Sequence, residues 1–286
     1  MEEKLNAKRG YLNENFKYFH LKDKKSTEFE FHYHDFNKII IFISGNVTYL
    51  IEGKAYKLKP WDILFIGSND IHKPVIDPDG AYERIIIWIN SSFLKKHNDN
   101  DCNLLSCFEM ASSQGFNLLR LSDEFPGYIR YTISQLEDAC NSNEFGSHVL
   151  QNSFFIQLIV YMNRLFLGID KKERIVDVEY DEKISSVLKY INENISDNLS
   201  IDTIASHFYL NKYYLMHSFK KQTGYTIHSY IIKKRLIMVN NLVKSGQSIG
   251  DACIKSGFGD YSSFVRAFKN TYGISPKKYY RETENK

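Results

Sequence analysis

Two groups of residues in this 286-residue sequence have types and spacings that could do chemistry. In the front third, His32 and His34 stand at i and i+2, so on an extended strand they share one face, and His72 follows later. Three imidazoles suit zinc or iron. They also suit a small organic ligand, with Lys38 as a further donor and Phe36, Tyr49 and Trp88 as apolar walls. In the last hundred residues, cationic, hydroxyl and imidazole side chains recur in two helical stretches, the inventory needed to grip phosphates and read base edges. No Ser-His-Asp order, P-loop, GxGxxG or HExxH occurs, so nucleophilic, phosphoryl-transfer and hydride chemistry have no support. No catalytic residue, metal or cofactor is expected.

The second group is positioned by a repeat. Between residues 183 and 283 one supersecondary unit occurs twice. In the first copy Ser200 is placed to cap a helix IDTIASHF, YLN makes a tight turn, and Asn211 caps KYYLMHSFKKQTG. In the second, Ser248 caps IGDACIKS, GFGD turns, and Asp260 caps YSSFVRAFKNTYG. Both second helices end in FK–x–x–x–G, at Phe219-Lys220…Gly224 and Phe268-Lys269…Gly273, with glycine where a helix end calls for positive φ. Ala205 and Ala252 stand where the paired helices must approach closely.

A short helix, a tight turn and a second helix make the helix-turn-helix arrangement, whose second helix enters the major groove of DNA. TIHSYIIKKRLIMVNNLVKS, between the copies, reads as one continuous helix of about 18 residues, or ~27 Å at 1.5 Å per residue. Major-groove faces on one side of the duplex lie about 34 Å apart, so such a rod could set both second helices into adjacent grooves. Leu215, Phe219, Phe264 and Phe268 are expected inside. That leaves Tyr213, Met216 and His217 outward on the first reading helix and Ser262, Ser263 and Arg266 on the second, with Lys212 and Lys220 nearer the phosphates and Lys269 also on the DNA-binding side. Arg266 is the foremost reader, since arginine is the usual bidentate partner of guanine.

The elements ahead of this repeat are different. Residues 28–90 alternate apolar and polar side chains in short runs separated by turn signals every 8–12 residues, which predicts an antiparallel barrel or sandwich, with Glu28 to His34 as its first strand. From Ser122, taken as an N-cap, the period becomes helical through Phe125, Ile129, Ile133 and Leu136. A second helical run carries Leu150, Phe154, Leu158, Tyr161, Met162 and Leu165; these helices complete the front core or form a dimerisation face. The expected organisation is an effector-binding and dimerisation domain at 1–167, a charged linker at 168–182, and a DNA-binding domain at 183–286.

Composition agrees with that division. Residues 181–286 carry 16 Lys and Arg against 9 Asp and Glu, a charge of +7, while the remainder carries 21 against 25, a charge of −4. A basic tail behind a mildly acidic front suits a phosphate-binding part joined to a sensing part. No apolar run reaches the length of a membrane span, the N-terminal stretch lacks the apolar core of a signal peptide, and the four cysteines form no paired motif. The expectation is a cytoplasmic protein with reduced thiols and no membrane association.

Residues 183–283, above all SGFGDYSSFVRAFKNTYGISPKKYYR, resemble the AraC-type family of bacterial transcription regulators. Tyr209 in the first turn, where the family has a small residue, is a minor departure. By similarity, Met216, His217, Ser262, Ser263 and Arg266 occupy the family's base-contacting positions. The front strands resemble the cupin-like ligand-binding domain found ahead of such tails, on His32-x-His34, Gly45, IEGKAYKLKPWDILFI and His72. Metal-binding cupins carry a glutamate where this chain has Lys38, and Trp61 replaces a frequent glycine.

The resemblance implies two domains: an all-β cupin-like barrel followed by helices, then an all-α tandem helix-turn-helix domain. It implies an effector-responsive activator that works as a homodimer on double-stranded DNA, contacts RNA polymerase and senses a small molecule, with carbohydrates a candidate class. A metal-dependent cupin enzyme fused to a DNA tether, and a dimeric regulator without a ligand, are the alternative readings.

Overall fold

The computed structural model describes residues 12, 14–23, 29–77, 81–121, 126–168 and 178–284. The chain divides into two compact units, Met1–Glu179 and Tyr180–Lys286. The front unit holds strands β1 (Phe16–Asp23), β2 (Asn37–Ser44), β3 (Val47–Ile51), β4 (Lys54–Lys57), β5 (Ile63–Ile66), β6 (His72–Ile76), β7 (Tyr82–Ile89), β8 (Leu118–Leu119) and β9 (Val178–Glu179). They form two antiparallel sheets, ordered β1-β7-β2-β5-β8 and β6-β3-β4-β9.

The larger sheet is buried on both faces, which is why its strands read as unbroken apolar runs. Ile40, Phe42, Leu64, Ile66, Ile86 and Trp88 point to one side and join Val47, Tyr49, Ile51 and Tyr56 of the second sheet in one core. Their alternates Ile39, Ile41, Ile63, Phe65, Ile85 and Ile87 point the other way, into a core shared with helices. Those helices are α1 (Ser91–Lys95), α2 (Ser106–Gln114), α3 (Gly127–Asn141) and α4 (Ser147–Gly168). Ile129, Ile133 and Leu136 of α3 and Phe155, Leu158, Ile159, Met162 and Phe166 of α4 supply their side of that core.

Several expectations change here. Residues 29–36 are not a strand; they make one isolated bridge, His32 to His72, with the backbone bending at Asp35–Phe36, and Glu28 lies outside the described residues. The first strand is instead Phe16–Asp23, an edge strand whose mixed side chains gave no alternation strong enough to read. Leu150 is exposed, because the buried stripe of α4 projects back onto Gln151 and Asn152. Ser122 and Phe125 lie outside the described residues, and α3 begins behind Pro126. Of the expected linker, Gly168 ends α4, residues 169–177 are outside the described residues, Val178–Glu179 pair with β4, and Glu182 is already helical. The open edge of β4 takes up part of the chain that composition marks as a connector.

Trp61 has φ of +71°, the left-handed region where glycine is at ease, which gives a backbone reason for the glycine of the resembling sequences. Here packing holds the conformation: the Arg130 guanidinium lies 4.3 Å from the indole centre, and the Trp61 amide donates to the Phe42 carbonyl at 2.7 Å.

The second unit is helical: α5 (Glu182–Glu193), α6 (Ile201–His207), α7 (Lys212–Thr223), α8 (Ile227–Lys244), α9 (Ile249–Lys255), α10 (Tyr261–Tyr272) and α11 (Pro276–Glu284). The four expected caps are in place. Ser200 Oγ, Asn211 Oδ1, Ser248 Oγ and Asp260 Oδ1 accept from the amides of Thr203 (3.0 Å), Tyr213 (2.8 Å), Asp251 (3.1 Å) and Ser263 (2.7 Å). Each satisfies an amide that the helix start leaves open, worth about 1 kcal/mol. Gly224 and Gly273 end α7 and α10 at φ of 74° and 77°.

Candidate nucleic-acid interface and histidine cluster

Each helix-turn-helix unit is held by apolar residues on the inner side of its second helix. Leu215 and Phe219 of α7, and Phe264 and Phe268 of α10, are completely buried. Phe264 and Phe268 pack ring to ring at 5.6 Å within a core that includes Leu236 and Val239 of α8 and Ala252 of α9. Ala205 and Ala252 are buried where the paired helices meet. The inner faces are spent, and the opposite faces are free.

The expected readers lie on those free faces. Tyr213, Met216 and His217 are exposed on α7, and Ser262, Ser263 and Arg266 on α10, with Lys220 and Lys269 exposed beyond them. Tyr213 and His217 lie parallel, ring centres 6.2 Å apart. Two residues carry additional duties. Lys212, expected near phosphates, is ion-paired with Asp202 of α6. The Ser263 hydroxyl donates to Asp260 at 2.7 Å, so it serves the cap of α10.

Sequence reasoning missed one contact on α7. The Tyr214 hydroxyl donates at 2.7 Å to Asp181, whose carboxylate also caps α5 through the amides of Lys183 and Ile184. Asp181 and Tyr214 are far apart in sequence, so no local signal marks the pair.

In the front unit the structure brings His32, His34 and His72 together, with ring centres 4.4 Å apart for His32–His72, 4.9 Å for His34–His72 and 6.4 Å for His32–His34. Their Nδ1 atoms lie 2.9, 2.8 and 2.8 Å from the carbonyls of Glu30, Phe36 and Asp70. A carbonyl only accepts, so each Nδ1 carries the proton and each neutral ring turns a bare Nε2 lone pair the other way. The Nε2 atoms of His34 and His72, and the Trp88 indole N–H, are buried without a hydrogen-bond partner. Burial, then the nearby Lys38 ammonium, lowers His32 to about 4 and holds His34 well below the usual imidazole value. His72 is held well below it too, by burial and then by the other two imidazoles and Lys38.

Phe36 stacks on His34 at 4.1 Å, Trp88 lies 4.9 Å from Phe36, and Tyr49 lies 6.1 Å from His72, so the expected apolar walls surround the cluster. Phe19 of β1, which the sequence did not single out, packs against Trp88 at 4.8 Å. The Lys38 ammonium, close enough to lower all three imidazoles, would also repel a metal cation at this donor set. Among the described residues no three His, Cys, Asp or Glu side chains are arranged to hold a metal ion, and no helix is long and apolar enough to cross a membrane.

A family model described as the AraC-like ligand binding domain matches residues 18–100, and one described as a helix-turn-helix domain matches residues 204–282. Among curated proteins, the chain is 24% identical to the HTH-type transcriptional activator RhaS of Enterobacter sp. (strain 638), over 86% of this chain and 86% of that protein. It is 23% identical to RhaS of Shigella sonnei (strain Ss046), over 88% of this chain and 87% of that protein. Among solved structures it matches ToxT from Vibrio cholerae at 18% identity, over 93% of this chain and 98% of that one, with a TM-score of 0.36.

Proposed function

Because this chain belongs to the AraC-type DNA-binding transcription regulators, with an AraC-like ligand-binding domain ahead of a helix-turn-helix domain, we propose that it is an effector-responsive activator that seats α7 and α10 in successive major grooves. The observation that carries this is the capped repeat: two reading helices with buried inner faces and exposed outer faces, joined by the 18-residue α8. A straight helix of that length spans ~27 Å. With the width of the flanking turns it matches the roughly 34 Å between grooves on one side of the duplex.

Met216, His217, Ser262 and Arg266 would meet base edges, Arg266 foremost. Tyr213, Lys220 and Lys269 would meet the backbone, and Lys212 and Ser263 would support the surface through their contacts with Asp202 and Asp260. The front unit would take a small uncharged molecule rich in hydroxyls, of which carbohydrates are one class. Such a ligand donates hydrogen bonds to bare Nε2 atoms, accepts one from the Trp88 indole, and lies against Phe36 and Tyr49. The protein would act in the cytoplasm as a homodimer and contact RNA polymerase, as the family resemblance implies. The boundary between sensing and DNA-binding parts falls within residues 168–182, and the chain has no enzymatic role.

Selection of duplexes from a random pool with the full chain tests the DNA reading. The expected product is a site with two elements about one helical turn apart; enrichment of no sequence contradicts it. Thermal-shift screening of sugars and polyols tests the sensor. A stabilising compound whose effect is lost in Trp88→Phe, which keeps an apolar ring but removes the indole N–H, supports the ligand assignment, and an effect unchanged by that substitution contradicts it.

A further inference from the structure

A second basic feature lies outside both reading helices. Where α8 ends and α9 begins, a cleft of about 470 Å³ opens between Val243, Gln247 and Ser248 on one side and Lys277, Tyr280 and Arg281 of α11 on the other. Lys277 and Arg281 are one helical turn apart on α11, and among the described residues neither forms an ion pair. No carboxylate lines the cleft, and the Asp251 carboxylate nearby is engaged by the Ser248 hydroxyl at 2.6 Å. Lys255 of α9, bonded to Gln247 at 3.0 Å, adds a third cation beside it.

The cations stand on a fixed platform. Tyr280 is buried against Phe268, ring centres 5.7 Å apart, and its hydroxyl donates to Asn240 of α8; Tyr279 packs on Phe268 at 5.2 Å. Side chains on an anchored helix surrender less freedom on binding than free surface lysines.

The repeat makes the arrangement specific to the second unit. Aligned on Gly224 and Gly273, Lys277 and Arg281 correspond to His228 and Ile232. Ahead of the turns, which differ by one residue in length, the caps Ser200 and Ser248 set the alignment, and there Asp202, which neutralises Lys212 in the first unit, corresponds to Gly250. The first unit thus spends its acid on its lysine, while the second leaves its cations uncompensated next to α9, the helix that in such motifs crosses the DNA backbone.

We propose that this cleft is a phosphodiester-docking site: Lys277 and Arg281 grip the DNA backbone beside the groove that α10 occupies and set the register of that helix. The inference rests on the DNA-binding reading above. Contacts of this kind position the protein on any sequence and add to the salt dependence of binding.

The test is fluorescence anisotropy of the full chain on a random-sequence 30-base-pair duplex and on a selected site, across a salt series. With both side chains removed in Lys277→Ala/Arg281→Ala, affinity should fall by a similar factor on both duplexes. The slope of log K against log salt should shrink by about two, one unit per lost phosphate. Lys277→Arg/Arg281→Lys should restore the slope, and Lys95→Ala/Lys96→Ala in the front unit should leave it unchanged. An unchanged slope in the double alanine variant, with its melting temperature retained, overturns the cleft. So does intact DNA binding with reduced transcription by purified polymerase, which would assign the cleft to an acidic protein surface. Absence of duplex binding by the unsubstituted chain would instead remove the DNA-binding reading itself.

Discussion

Arg266 concentrates the residue-scale claim, because its guanidinium is exposed on α10 while Phe264 and Phe268 fix the helix beneath it. Arg266→Ala should cost about 1–3 kcal/mol on a selected site and much less on a scrambled one, measured by competition binding. Equal losses on both would make Arg266 a phosphate contact. The histidine cluster yields a pH prediction with a definite sign. Unfolded imidazoles titrate near 6.5, whereas burial holds His32 at about 4 and keeps His34 and His72 well below their usual value. Between those values the unfolded chain binds more protons, so stability should be lost as pH falls from about 6.5 towards 4. Urea midpoints for the front unit that stay level across that range would contradict a buried neutral cluster. Much at this scale could be read from residue order, since caps, core phenylalanines and the outward side chains of α7 and α10 follow from spacing alone. The Asp181–Tyr214 bond and the unpartnered Nε2 atoms could not, because they depend on which distant segments meet.

Among the elements, the two turns of the repeat differ in an instructive way. Gly257 follows α9 with φ of +83°, and a Cβ there would come within 2.7 Å of the Ser196 carbonyl oxygen. Tyr209, at the same place after α6, has φ of +53° and a fully exposed ring. The left-handed conformation costs a non-glycine residue about 1–2 kcal/mol, and this ring gains no packing in return. Tyr209→Gly should therefore raise the tail's unfolding free energy by up to about 1 kcal/mol after glycine's extra chain entropy is counted. Gly257→Ala should lower it by more than that, by clash as well as strain. Chemical denaturation of both variants checks this; the opposite order of stabilities would show the turns are not equivalent. The repeat was visible in the sequence because helix caps and glycine ends are local signals. Strands β1 and β9 were not, since an edge strand with mixed side chains is specified by the partner it meets, β7 for one and β4 for the other.

The whole molecule divides its labour between a two-sheet unit with a polar cluster inside its core and a helical unit whose two modules share one rod. The charge split, +7 in residues 181–286 against −4 elsewhere, assigns the phosphate-facing role to the second unit and implies strongly salt-dependent binding. Binding of both modules at once depends on a rigid α8, and the spacing of the two DNA elements probes that rigidity. Once a two-element site has been selected, five or ten base pairs can be inserted between its elements and affinity for the full chain measured. Five base pairs turn the second groove to the far side of the duplex, and ten move it to about twice the ~34 Å reach. A rod of fixed length predicts that both insertions reduce binding to that of a single element. Recovery of full affinity at ten base pairs would contradict the account.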